Sequence, residues 1–407
     1  MSKSIIVIGA GSAGLMAAGR AVSLGAQVTI LEGEPRPGSK LLLTGKGRCN
    51  LTNTADLPEF CQAFGKKGRF LYGAFSQFFR EDLLSLLSGL GLPTVVERGG
   101  RVFPANQSSR DVLQALIKYA SQAQLLLGQP AEGLCIKNGA ITGVQTRAGQ
   151  LPSAAVILCT GGKSYPATGS NGSGYQLAQA VGHVIVQPLP TLVSLTIKQA
   201  WIRRLAGLSL KNVSLELLIN KQSLASRFGE MLFTHHGISG PIVLDLSREL
   251  INPMRKAGLR ELFFRNNTLQ AYLDLKPALS REQLSQRLQR DFDRGGKKFF
   301  ATILKDLLPS SLIPVVIDLA AIDRDKPGNQ INAKERERLV DLVKSFKMDI
   351  IGTGGYEEAI VTSGGVALDE VNPKTLESRL VKGLFFAGEI LDLDACTGGY
   401  NLQAAFS

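Results

Sequence analysis

With 407 residues, 44% of them hydrophobic, the chain is long enough for two or three domains with sizeable cores. No apolar run approaches the ~18 residues of a membrane span, and a first strand beginning by Ile5 leaves no room for a signal peptide. The net charge of +12 raises nucleic acid as a partner, yet residues 191–350 interleave 26 Lys and Arg with 17 Asp and Glu, the pattern of solvated helix faces.

Residues 5–8 are a continuous apolar run, the pattern of a buried parallel strand. Gly9, Gly11 and Gly14 follow at G-x-G-x-x-G spacing, with Ala10, Ser12 and Ala13 between them. A helix with small residues (Ala13, Ala17, Ala18, Ala21) runs to Gly25, and a second strand over residues 28–31 ends on Glu32. In such a unit the first glycine allows the tight turn, the second lets backbone approach a pyrophosphate, and the third lets helix and strand pack closely. The helix N-terminus favours the phosphates. Glu32, 18 residues past Gly14, is placed to accept hydrogen bonds from an adenosine ribose. This is a dinucleotide-binding βαβ unit.

A loop rich in Gly, Lys and Asn occupies residues 33–55, and helical patterns cover 74–91 and 109–121. Residues 125–127, 134–136 and 141–146 read as short strands, the last two joined by an Asn138-Gly139 hairpin turn. Residues 155–159 are another buried strand, running into Thr160-Gly161-Gly162. The character changes near Pro188–Pro190. Alternation at Val193, Leu195 and Ile197, at Val213 to Ile219, and at Ala271 to Leu275 predicts half-buried antiparallel strands. Helical spacing covers 280–347, and after Gly354-Gly355 an apolar strand returns at 384–387. The economical reading is an α/β domain formed by residues 1–190 and 353–407, interrupted by an insert at 191–352. Five cysteines (Cys49, Cys61, Cys135, Cys159, Cys396) without a C-x-x-C argue against disulfides or zinc and for a reducing compartment, so the cytoplasm is expected.

The fingerprint alone does not separate NAD from FAD. The Thr160-Gly161-Gly162 turn and the late Gly388-Glu389 pair resemble accessory motifs of two-dinucleotide-domain flavoproteins, in which the acid at the position of Glu389 binds the FAD ribityl chain. No second G-x-G-x-x-G follows a strand. Gly169-Ser-Asn-Gly172-Ser-Gly174 instead resembles a loop near the flavin in fumarate-reductase-like proteins. Four segments together resemble the bacterial BaiN/YhiN-like (aminoacetone-oxidase-like) FAD flavoproteins over essentially the full length. They are Gly45-Lys-Gly47-Arg48-Cys49-Asn50-Leu-Thr52-Asn53, Thr160 to Pro166, Phe233 to Pro241, and Ala387 through Gln403.

That resemblance implies a glutathione-reductase-type, Rossmann-like FAD-binding domain with an inserted β-barrel and helical domain, and oxidoreductase activity. It implies FAD contacts at Gly33, Lys40, Gly47, Arg48, Cys49, Asn50 and Ala131, and again at Gly399, Tyr400, Asn401, Leu402 and Gln403. The latter group should start a helix aimed at the flavin. Catalytic candidates are His235 or His236, adjacent and so facing opposite ways on a strand, and Cys49, for which packing is the favoured role. The expected function is an FAD-dependent oxidoreductase of a small molecule, exchanging electrons with NAD(P)H or oxygen. An RNA-modifying flavoprotein and a non-catalytic FAD holder are the alternatives. No metal and no membrane partner are expected. The C-terminal helix has at most seven residues, 401–407, which predicts a frayed last turn, a shortened form of the family pattern and weakened FAD retention.

Overall fold

The computed structural model describes residues 4–258 and 260–407. The chain forms two compact units. One holds the described residues up to Thr191 together with Gly355–Ser407, and the other is Leu192–Gly354.

The first unit is built on a five-stranded parallel sheet in the order Leu384–Phe386, Ala155–Leu158, Ser4–Ile8, Gln27–Glu32, Gln124–Leu127. Its central strand is apolar because both faces are covered: Ile6 and Ile8 pack in one buried cluster, Val7 in another. The second cluster includes Leu15, Met16 and Ala18 of the first helix, Ser12–Ser23, and Val112, Leu113 and Leu116 of the helix Ser109–Tyr119. Ser108 starts that latter helix by accepting the Asp111 N–H. Two three-stranded antiparallel sheets flank this core, and the strand Ile185–Thr191 pairs with Val361–Val366.

Several elements differ from the expectation. The pattern at 74–91 is two helices, Tyr72–Gln77 and Arg80–Gly89. Phe78 is extended, and the Phe79 N–H donates to the Asp82 carboxylate, starting a new helix at that point. The predicted loop at 33–55 contains the helix Ser39–Leu43 and the strand Thr52–Asn53, which joins a hairpin of Thr94–Glu97 and Arg101–Pro104. The Asn138-Gly139 turn is formed with both residues left-handed, joining Ala131–Lys137 to Ala140–Thr146.

The second unit is a closed barrel of six strands with helices attached. Its strands alternate as period-2 burial requires: Val213, Leu215 and Leu217 on one strand, Ala271 and Leu273 on the next, and Phe346, Met348 and Ile350 on a third point inward. The twelve-residue strand Gln222–Phe233 was not legible in the sequence, because its first half is largely exposed and carries no alternating apolar signal. The helices Arg281–Gly295 and Ala333–Lys344 begin with capping boxes at Ser280 and Asn332. No described helix is long and apolar enough to cross a membrane.

Candidate functional site

The three fingerprint glycines do three different physical jobs. Gly9 sits at φ +102°, and a Cβ there would lie 2.6 Å from the Cys159 carbonyl oxygen. At Gly14 a Cβ would overlap the Gly9 carbonyl oxygen, so the helix closes onto the turn only because no side chain is present. Gly11 differs from both. Its backbone is extended, at φ −82° and ψ −167°, and a Cβ would meet nothing within 4 Å. Neither backbone strain nor protein packing explains a glycine there; open space in front of it is what the residue preserves.

That space is a cavity of about 290 Å³ whose wall includes Gly9, Gly11, Ser12, Ala13, Glu32 and Gly33, and also Lys40, Ala131, Thr160, Gly161, Gly388 and Glu389. Glu32 is held from both sides: its carboxylate accepts the Ala10 N–H at 2.7 Å and the Glu34 N–H at 2.9 Å. A second, largely apolar cavity of about 310 Å³ shares Ala13, Lys40, Ala387, Gly388, Glu389 and Ala405 with the first. Beyond these it is walled by Phe64, Leu71, Val361, Leu391, Leu393 and Leu402.

At the junction lies a polar cluster. Lys40 Nζ donates to Glu389 at 2.5 Å and to Ser164 Oγ at 2.6 Å. Glu389 Oε1 accepts from Ser164 Oγ at 2.7 Å and from the Thr362 N–H at 2.8 Å. Gly162 has no room for a side chain, since Thr362 and Glu389 abut it. Sequence reasoning missed Thr362, whose hydroxyl accepts the N–H groups of Lys163 and Ser164. It lies in a continuously buried strand, and nothing in the local pattern marks it.

The remaining expected residues gather around the loops at 44–53 and 395–403. Gly45, Lys46, Gly47 and Cys49 are all left-handed. Gly47, Arg48, Cys49 and Asn50 line neither cavity, whereas Asn401 and Leu402 line the apolar one. Asn53 ties the two loops, donating to the carbonyls of Gly99 and Gly398. Gly399 abuts the Thr52 carbonyl too closely for any side chain. Asn401 closes the second loop, accepting the Ala395 N–H and donating to its carbonyl. Tyr400 packs edge-on against Phe60. The helix Tyr400–Phe406 keeps its last turn: Ser407 N–H donates to the Gln403 carbonyl, and Phe406 is buried. Burial against the first helix supplies what seven isolated residues lack, so the expected fraying is not seen.

Cys49 is fully buried, and burial pushes its thiol up to about 12, so it stays protonated near neutral pH. His235 and His236 lie in the other unit, both exposed, in the turn before the strand Gly237–Ser239.

Buried polar atoms without a partner among the described residues concentrate in the first unit. Asn50 Oδ1, Thr52 Oγ1, Thr160 Oγ1, Tyr175 OH and Gln403 Oε1 are such atoms. Buried polar groups are nearly always paired, so these atoms are exceptions that need a partner. Thr160 lines the cavity in front of Gly11, where the open space and the Glu32 carboxylate fit a dinucleotide.

The parallel sheet, the glycine turn and the acid on the second strand define a Rossmann-like dinucleotide-binding fold. The chain belongs to the HI0933-like family, whose Rossmann-domain model matches residues 3–407. It is 34% identical over 404 residues to a 3-dehydro-bile acid delta(4,6)-reductase of Clostridium scindens, covering 98% of this chain and 96% of that one. It is also 30% identical over 410 residues to a ribosomal RNA dihydrouridine synthase of Haemophilus influenzae, covering 99% and 95%. Among solved structures, a 3-ketosteroid delta1-dehydrogenase from Sterolibacterium denitrificans superposes with a TM-score of 0.52 at 12% identity, over 99% of each chain.

Proposed function

We propose that the chain is an FAD-dependent reductase that adds a hydride and a proton to a carbon–carbon double bond conjugated to a carbonyl, in a small molecule. The observation that carries this reading is the pair of adjoining cavities sharing Lys40 and Glu389, one walled by the fingerprint turn and one apolar. In this reading Glu32 accepts the adenosine ribose hydroxyls and Gly11 admits the pyrophosphate. Thr160, Gly161 and Gly162 flank it, and Glu389, steadied by Lys40 and Ser164, receives the ribityl hydroxyls. When bound, the flavin supplies two-electron hydride chemistry. Cys49 fills space and stays protonated.

The relative named as a bile-acid reductase supports the conjugated double bond, since a delta(4,6) system beside a 3-dehydro position is an enone. NADH or NADPH is the proposed electron source, reaching the flavin directly because no second strand-linked glycine fingerprint exists for it. A second reading is favoured by the 30% identity to the Haemophilus relative: reduction of the uracil ring, also a double bond conjugated to a carbonyl, within RNA.

The test is anaerobic. Purified protein reconstituted with FAD is mixed with NADH or NADPH, and bleaching of the flavin band is followed. Reoxidation is then tried with a panel of cyclic enones and with ribosomal RNA lacking dihydrouridine. Bleaching by a nicotinamide and reoxidation by an enone support the first reading. Reoxidation by RNA alone replaces it with the second, and no FAD binding at all overturns both.

A further inference from the structure

The loop at 44–53 poses a problem that the cofactor reading leaves unsolved. Gly45, Lys46, Gly47 and Cys49 stand at φ +57°, +58°, +84° and +61°. Two of the four are not glycine, and left-handed backbone of that kind persists only where the surroundings over-determine it. Immediately after it come Asn50 and Thr52, whose buried side-chain oxygens have no partner among the described residues. Within the loop the Arg48 N–H donates to the Gly45 carbonyl and the Cys49 N–H to the Thr44 carbonyl, and a second set of contacts holds it from outside.

The holder is visible in the adjoining hairpin. Arg48 Nη1 donates to Glu97 Oε1 at 2.9 Å. Its guanidinium carbon lies 4.4 Å from the centre of the Phe103 ring. Arg101 sits near the same ring at 5.8 Å and pairs with the other oxygen of Glu97 at 3.7 Å. Gln107 donates a further hydrogen bond to Glu97 Oε1 at 3.3 Å. Phe103 is buried, so the platform under Arg48 is fixed. The same hairpin grips the far end of the loop: Thr52 and Asn53 pair with Val102 and Arg101, and the Leu51 N–H donates to the Val102 carbonyl. The segment between Arg48 and Thr52 is therefore anchored at both ends by one small sheet.

We propose that Glu97 is a positioning residue, which through Arg48 holds the left-handed 44–50 loop, the segment whose Gly47, Arg48, Cys49 and Asn50 are the expected FAD contacts. This rests on the FAD reading above. Glu97 lies on the strand Thr94–Glu97, lines neither cavity, and belongs to none of the motifs singled out in the sequence. It acts only through Arg48. A surface ion pair standing alone would contribute little; this one is combined with a stacked guanidinium and a shared carboxylate, which fix its geometry.

Glu97→Gln keeps the size of the side chain and removes its charge. In the FAD-free protein, backbone amide exchange over residues 45–50 should speed up relative to the parent, with Tm unchanged. In the reconstituted protein, FAD should bind about tenfold more weakly, and the flavin reduction potential and visible band should shift. Glu97→Asp should recover part of each effect. Unchanged exchange and FAD affinity in Glu97→Gln would overturn the proposal. So would a fall in Tm that accounts for the FAD loss, because Glu97 would then be holding the fold rather than the loop. Phe103→Leu, which removes the platform but keeps the charge pair, gives the same comparison if Glu97→Gln does not fold. A parent that holds no FAD defeats the cofactor reading, while amide exchange in the free protein still decides whether the clamp exists.

Discussion

The two units share left-handed non-glycine backbone but differ in their buried polar atoms. In the barrel unit, left-handed non-glycine residues include Asn220 and Lys221, which turn the hairpin between the strands Ser209–Ile219 and Gln222–Phe233. In the nucleotide-type unit they include Lys46, Cys49 and Tyr165, in loops beside the cradle and its polar cluster. The same unit holds the unpartnered oxygens of Asn50, Thr52, Thr160, Tyr175 and Gln403. Left-handed non-glycine backbone occurs in both units, with Leu192, Asn212 and Ala321 also in the barrel unit, so it is the unmet hydrogen bonds that set the first unit apart. Thr160, which holds one of them, lines the same cavity as Gly11, a glycine with nothing in front of it, and that is where a ligand would be met.

The comparison can be broken most severely at Gly14. Gly14→Ala sets a methyl group against the Gly9 carbonyl oxygen, forcing helix and turn apart. A loss of about 3 kcal/mol of stability is expected, the upper end of overpacking effects, with poor expression of folded protein. Chemical denaturation measures it, and a variant as stable as the parent would mean that the helix relaxes away without cost.

A smaller effect belongs to His183, which is buried in the nucleotide-type unit away from the cradle. Its Nδ1 lies 3.0 Å from Glu370 and its Nε2 2.8 Å from Ser378 Oγ. Ser378 Oγ also accepts the N–H groups of Leu380 and Val381, so its own proton goes to Nε2 and the ring is neutral with its proton on Nδ1. Burial holds the imidazole below its ordinary value of 6.5, opposed by Glu370. With the folded value below the unfolded one, the unfolded chain binds the extra proton first. The stability that neutral His183 contributes is present above about pH 6.5 and falls away as pH drops below it. His183→Gln should flatten this part of the stability–pH curve. An equal slope in parent and variant would assign the dependence elsewhere.

The smallest effect is expected at Cys49. A buried thiol held near 12 is neither a nucleophile nor a redox partner at neutral pH. Cys49→Ala should therefore keep the rate of flavin reduction within a few-fold, roughly the scatter of a packing change, and native Cys49 should resist alkylation. Abolished reduction in Cys49→Ala would return it to the chemistry.

Much of the first unit was legible because its signals are local. A buried strand, three spaced glycines and an acid on the next strand tip fall within residues 5–32, and each constrains the same turn. The barrel was only half legible. Val213 to Ile219 and Ala271 to Leu275 alternate clearly, but closure depends on Leu195–Ile197 pairing with Phe346–Thr353, some 150 residues away in the chain. Glu97 and Thr362 were invisible for a related reason. Their roles come from Arg48 and from Ser164, which neighbour them only after folding. The histidine pair stood out as adjacent residues in the Phe233–Pro241 segment, and the fold leaves both side chains exposed in the barrel unit.

Gly11 bears most directly on the central claim that the first unit is an FAD cradle. Gly11→Ala adds one methyl group to extended backbone, facing open space, so the free protein should melt with the parent. If the space is for a pyrophosphate, that methyl group intrudes on it, and FAD should bind about one to two decades more weakly. Titration of the two free proteins with FAD, alongside their Tm values, decides the matter. An unchanged Tm with weakened FAD binding is the predicted result. FAD affinity equal to that of the parent would contradict the account.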